Sequence, residues 1–205
     1  MQLEESELIK RCQAGDVQAF ETLVGRYGVQ AVRTAYLVTG CREMAEDMAQ
    51  EAFIQCFYSI RQFKNLSSFK TWFYRILVRV SRKMASRTNG RLPLEYLDGI
   101  AGKEELPGSD DLTAAFDDKQ VCEAVYRAVG ALSPPLKAVV VLHYFNGFSV
   151  KEIAQILCCR EGTVKSRLFK ARKILEDQLK REGWDISDDK QNRRESDPCV
   201  KTSAV

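Results

Sequence analysis

Apolar and polar positions alternate with a helical period from the start of the chain. Residues 3–88 read as almost continuous helix, with no proline before Pro93. Apolar side chains that recur at three- and four-residue steps share one helix face. Asp16, after Gly15, can cap a helix that begins VQAFETLVGRY, and Gly40 ends that pattern. The next run, CREMAEDMAQEAFIQCFYSI, places apolar or small residues at 45, 48, 49, 52, 53, 56, 57 and 60. A polar loop, RQFKNLSS, follows. Ser67 or Ser68 can cap the next helix, whose stripe is Phe69, Trp72, Phe73, Ile76, Leu77, Val80 and Met84. Residues 89–116 carry Gly, Pro and acids without a period and read as a flexible linker. A second helical block spans 117–181, and the polar stretch 182–205 reads as disordered. Strand-like alternation is absent. The expected fold is all-α: two small helical domains, 1–88 and 117–181, joined by an acidic linker.

The stretch SVKEIAQILCCREGTVKSRLFKARKIL, 149–175, holds the clearest motif. Ser149 and Glu152 form S-x-x-E, a capping box that starts a helix at Val150. Ile153, Ala154, Ile156 and Leu157 are its inner side. A turn at 158–161 leads to a longer helix with Val164, Leu168, Ala171 and Leu175 facing inward. This is a helix-turn-helix layout. The outer positions carry Arg160, Thr163, Lys165, Ser166, Phe169, Lys170, Arg172 and Lys173. Lys165 and Ser166 can reach base edges or phosphates, and Phe169 suits a thymine methyl. The tight turn favours glycine where Cys158 stands, because a non-glycine residue at positive φ costs about 1 kcal/mol.

Charge sharpens the picture. The net charge is only +3, but its distribution is uneven. No Asp or Glu occurs from Ala52 to Leu94, where Arg61, Lys64, Lys70, Arg75, Arg79, Arg82, Lys83, Arg87 and Arg91 lie. Such a surface attracts a polyanion and releases its counterions. From Glu95 to Asp118 the sign reverses, with Lys103 alone among Asp and Glu residues. That acidic ribbon either keeps the chain soluble or occupies a channel meant for nucleic acid.

Other chemistries are poorly supported. Seven cysteines without a CxxC pair fit small buried hydrophobes in a reducing cytosol better than disulfides or zinc. His143, the single histidine, sits in the apolar run VVVLHYFNG and has no nucleophile or carboxylate placed beside it by motif. No phosphate-binding Gly loop is present. The expectation is therefore no catalytic activity, no catalytic residues, no metal, no cofactor and no small-molecule substrate. The acidic start, MQLEESELIK, is no signal peptide, and the longest apolar runs are too short for a membrane span, so a cytoplasmic protein is expected.

The segments AFETLVGRY, REMAEDMAQEAF and FKNLSSFKTWFYRI in the first block, and LSPPLKAVVVLHYFNGFSVKEIAQILCCREGTVKSRLFKARKIL in the second, carry a family resemblance. The chain resembles the extracytoplasmic-function (ECF) group of sigma-70 RNA polymerase sigma factors over about residues 16–88 and 117–178. The resemblance implies that residues 1–88 are sigma region 2 and residues 117–181 are sigma region 4. Region 2 would dock on the coiled coil of the polymerase β′ subunit through Asp47, Gln50 and Glu51. It would open the promoter −10 element through Lys64, Asn65, Leu66, Ser67, Ser68, Lys70 and Arg75. Unstacking a base costs a few kcal/mol, and nearby cations would hold the separated strand. The spacing of Phe69, Trp72 and Phe73 fits core packing better than base stacking. Region 4 would bind the −35 element through the helix-turn-helix, and the β-subunit flap through its other surface. The linker acids Glu104, Glu105, Asp110 and Asp111 would face the RNA exit path. An anti-sigma factor, often membrane-anchored, is the further implied partner. Arg79 stands where related sequences often carry Asn, so the −10 preference is expected to differ. The rival reading is a LuxR-type transcriptional regulator, which would need a sensor domain in the first half.

Overall fold

The computed structural model describes residues 4–40, 42–87 and 119–184. The linker expected at 89–116, with its four acids, lies outside these residues, and so does the tail from 185 onward. The described residues contain helices and no strand. Helices α1 (Glu5–Gln13), α2 (Val17–Thr39), α3 (Arg42–Ser59) and α4 (Phe69–Arg87) form the first bundle. Helices α5 (Lys119–Gly130), α6 (Pro134–Val140), α7 (Val150–Leu157) and α8 (Glu161–Arg181) form the second.

Local chemistry sets the ends of these helices. The Asp16 carboxylate accepts the Ala19 N–H at 3.1 Å and begins α2. That bond, with help from Arg11 at 2.6 Å, holds the Asp16 carboxyl below its usual range. Gly40 ends α2 at φ 80°, a left-handed conformation that a side chain would strain. Ser68 starts α4, its hydroxyl accepting the Thr71 N–H at 3.1 Å. Gln13 donates to the carbonyls of Ile60 and Phe63 at 3.2 and 2.9 Å, pinning the segment before α4 to α1. Leu8, Leu23, Met48, Phe73 and Leu77 fill the first core. Phe69 and Phe73 are buried there, and Phe73 stacks on Phe53 at 4.6 Å. Burial pushes the Cys56 thiol up to about 12, so it remains a neutral apolar group.

Two features depart from the sequence reading. Phe57, placed in the inward stripe of α3, is 41% exposed and meets Phe20 edge-on at 5.1 Å. The second adds to the expected two-domain fold and concerns how the domains meet. They pack together and share one apolar core. Helix α4 is apolar on two sides: beyond its stripe, Tyr74 and Val78 are also buried. Its second side meets α7, while α2 meets the turn after α6. That turn, Val141–Phe145, is a π-helical segment, and Asn146 closes it by donating its backbone N–H to the Val141 carbonyl at 3.2 Å.

Candidate nucleic-acid interface

The helix-turn-helix forms from the expected residues. Ser149 Oγ accepts the Glu152 N–H at 3.3 Å, and Glu152 Oε2 accepts the Ser149 N–H at 2.9 Å, which completes the capping box. Cys158 ends α7 at φ 52° and ψ 48°, so the turn keeps its left-handed geometry without glycine and carries the strain. Val164, Leu168 and Ala171 bury the inner face of α8. Outward stand Arg160, Lys165, Ser166, Phe169, Lys170 and Lys173, all exposed. Phe169 is 73% exposed, an aromatic ring in solvent amid cations. Thr163 is half-buried and its carbonyl accepts the Ser166 hydroxyl at 3.1 Å. Arg172 is half-buried too; its Nε donates to the Tyr144 hydroxyl at 2.6 Å, and its guanidinium lies 5.8 Å from that ring centre.

The loop before α4 brings the second set of candidates together. Lys64, Asn65 and Leu66 project into solvent, Leu66 at 88% exposure. Asn65 takes φ 54°, which suits its short polar side chain. Ser67 is half-buried, and the Ser68 hydroxyl is engaged as the α4 cap. Arg75, Arg79 and Arg82 are exposed along α4 and line a cleft of about 380 Å³ closed on its far side by Ile156, Leu157 and Cys158. Lys70 differs from its neighbours. It lies half-buried at the seam between the domains, and its Nζ donates to the Asn146 carbonyl at 2.8 Å.

A third surface lies on α3. Asp47, Gln50 and Glu51 are exposed together, one turn apart. Glu51 accepts from Gln55 at 2.7 Å, and Gln55 accepts from Arg79 at 3.0 Å, so a polar chain joins this face to the cations of α4. Beside Gln50 runs an apolar groove of about 480 Å³ between α2 and α3, lined in part by Val24, Phe53, Ile54, Phe57 and Tyr58. The sequence reading did not single out this groove. Its signal was Ile54 and Tyr58, large apolar side chains that widen the apolar face of α3 beyond the stripe that holds Phe53 and Phe57.

Comparisons with known proteins fit this geometry. A family model described as Sigma-70 region 2 matches residues 23–91, and one described as Sigma-70, region 4 matches residues 122–175. The ECF RNA polymerase sigma-E factor of Escherichia coli is 31% identical over 188 residues, covering 87% of this chain and 95% of that one. Its Haemophilus influenzae counterpart is 33% identical, covering 87% and 96%. The chain belongs to the ECF group of the sigma-70 family. It is a sigma factor: a transcription initiation factor that acts with core polymerase on promoter DNA. The LuxR-type alternative is not favoured, because the first half matches Sigma-70 region 2 where that reading needs a sensor domain. Two solved structures share the sigma factor's fold. CnrH, solved with the cytosolic domain of CnrY, superposes with a TM-score of 0.61 at 22% identity, covering 84% of this chain and 95% of that one. The sigma factor RpoE of Bartonella quintana, solved with the anti-sigma factor NepR, gives 0.60 at 23% identity, covering 78% and 96%. No helix among the described residues is long and apolar enough to cross a membrane.

Proposed function

We propose that three surfaces of this sigma factor divide its task. On α3, Asp47, Gln50 and Glu51 meet the β′ coiled coil, with the adjoining apolar groove taking a nonpolar side chain of polymerase. Exposed carboxylates beside an apolar groove suit a basic helical partner with a nonpolar anchor. The loop Lys64–Ser67, with Arg75 behind it, holds a flipped base and the backbone of the −10 strand. Leu66, the most exposed large apolar side chain of that loop, suits a wedge against an unstacked base. Ser68 supports the loop as a helix cap, and Lys70 becomes available to phosphate once it leaves Asn146. On α8, Lys165, Ser166 and Phe169 enter the major groove at −35, while Arg160, Thr163, Lys170, Arg172 and Lys173 grip the backbone. The rest of region 4 meets the β flap. The protein itself catalyses nothing; the polymerase does the chemistry. It works in the cytoplasm, and an anti-sigma protein restrains it, in line with the NepR complex of the Bartonella relative.

The observation that carries this reading is Phe169, a solvent-facing aromatic on a cationic helix that has its inner face buried. Run-off transcription with purified core polymerase and a randomised promoter library tests it. The expected result is specific starts only when the chain is present, with Lys165→Ala and Phe169→Ala each lowering −35-dependent initiation while core binding is kept. Unchanged initiation by both variants would reject this register of the helix.

A further inference from the structure

The loop proposed to hold the −10 base is short, and side chains fix both of its ends. At its exit the Ser68 hydroxyl accepts the Thr71 N–H at 3.1 Å, and the Ser68 carbonyl accepts the Trp72 N–H at 3.1 Å. At its entry stands Gln13, the last residue of α1. The amide nitrogen of a glutamine carries two hydrogens. Gln13 Nε2 donates to the Phe63 carbonyl at 2.9 Å and to the Ile60 carbonyl at 3.2 Å, partners 50 and 47 residues away along the chain. The Ile60 carbonyl also accepts the Phe63 N–H at 3.1 Å, which closes the 3-10 turn Ile60–Gln62. Phe63 is buried, its ring centre 5.0 Å from that of Trp72 and 5.9 Å from that of Phe69. The next residue is Lys64, where the exposed part of the loop begins. Gln13 reaches this point from a firm base. Leu8, Ile9 and Cys12 bury α1 in the first core, Arg11 donates to Asp16 at 2.6 Å just beyond it, and the Tyr27 hydroxyl donates to Glu5 at its start. The match to Sigma-70 region 2 begins only at residue 23, so Gln13 lies outside it.

We propose that Gln13 is a positioning residue for −10 recognition: it sets the start of the loop, so that Lys64–Ser67 meets an unstacked base in one shape. The inference rests on the function proposed above for that loop. Its physical basis is preorganisation. Lys64, Asn65 and Leu66 are exposed, and neighbours do not hold them in place as they hold Phe63 and Ser68. A segment loose at one end samples many shapes, and a base that binds one of them must order the rest. Selectivity falls as well, because a loop free to shift can also adapt to a wrong base. Gln13 acts through the Phe63 carbonyl, one residue from Lys64, and so bears on the −10 base. The recognition helix α8 belongs to the second bundle and does not depend on this bond.

Three substitutions in the full-length chain test this. Gln13→Met has about the same length and no donor. Gln13→Glu has the same shape and turns an acceptor toward two carbonyls. Gln13→Lys keeps a donor of similar reach. Each is combined with core polymerase and assayed by run-off on a promoter that the wild-type chain has selected, and its melting midpoint shows whether it is folded. Two ratios are read: initiation on the matched promoter over one changed at its most selective −10 base, and initiation on the matched promoter over one changed in the −35 element. The Met and Glu variants are expected to lower the −10 ratio by about five-fold or more, the size of one lost hydrogen bond. Their −35 ratio and core binding stay as in the wild type, and the Lys variant keeps the −10 ratio within about two-fold. A glutamine that served stability alone would lower initiation on every template and leave both ratios unchanged. A wild-type −10 ratio in a folded Met or Glu variant would therefore overturn the proposal. So would a Lys variant as unselective as the Met variant, or unfolding of both donor-less variants. Absence of promoter-dependent run-off from the wild-type chain itself would instead reject the proposed function.

Discussion

At the scale of single residues, three positions do more than their type announces. Cys158 occupies a left-handed conformation that costs a side chain about 1 kcal/mol. Cys158→Gly is expected to raise stability by up to that amount and Cys158→Val to lower it, as read from urea unfolding midpoints. Tyr144 holds Arg172 from across the domain by a short hydrogen bond and its ring face. Losing one partly exposed hydrogen bond is worth about 0.5–1 kcal/mol. Tyr144→Phe should therefore weaken −35 duplex binding roughly two- to five-fold, a change visible in fluorescence anisotropy titrations. Glu152 is the third. Partial burial works against its charge, yet bonds from the Ser149 side chain and N–H, one from Thr71 and the Lys70 charge together hold its carboxyl below the usual range. A depressed folded-state pKa means that this stabilisation is present above the ordinary carboxylate range and is lost as pH falls through the folded value. The stability gap between wild type and Glu152→Gln should thus be widest near neutral pH and shrink on acidification below about 4.5. A gap independent of pH would refute it.

At the scale of elements, α3 and α4 each have two apolar sides. Helix α3 turns one into the bundle and leaves Ile54, Phe57 and Tyr58 open beside Gln50. An anchor in an apolar groove commonly contributes 1–2 kcal/mol or more to binding, about ten-fold in affinity. Phe57→Ala is expected to weaken core-polymerase binding by about that factor and to leave −35 duplex binding unchanged; a pull-down and an anisotropy assay separate the two. Helix α4 covers its second side with α7 instead. The same helix carries Arg75, Arg79 and Arg82 on the remaining surface, so one element joins the first core, the seam and the cationic cleft. Arg79 is not a bare replacement for the usual Asn: its bond to Gln55 continues to Glu51.

At the scale of the whole molecule, electrostatics and packing set opposite demands. The cations clustered on α4 and α8 make DNA binding steeply salt-dependent, with log K falling by about 0.9 per phosphate neutralised for each decade of salt. Lys170→Ala, which would remove the backbone contact proposed for it, should lower affinity for all −35 duplexes alike and flatten that slope by about one. An unchanged slope would take Lys170 off the phosphates. The packed seam holds these two cationic regions in one body.

The sequence was enough for the helices, their caps at Asp16, Ser149 and Glu152, most of the inward stripes of both bundles and the outward face of α8, because these follow from nearest-neighbour periodicity and local hydrogen bonding. It also carried the family match. It did not yield the seam. Asn146 lies far along the chain from Gln30, Thr34 and Lys70; only the fold brings its polar atoms into hydrogen-bond reach of each of theirs, at 3.0, 3.0 and 2.8 Å. The same reason hid the groove beside Gln50 and the Tyr144–Arg172 pair. Whether an apolar or polar side chain is buried, open or bonded depends on what the rest of the chain places over it, and that is settled by tertiary packing alone.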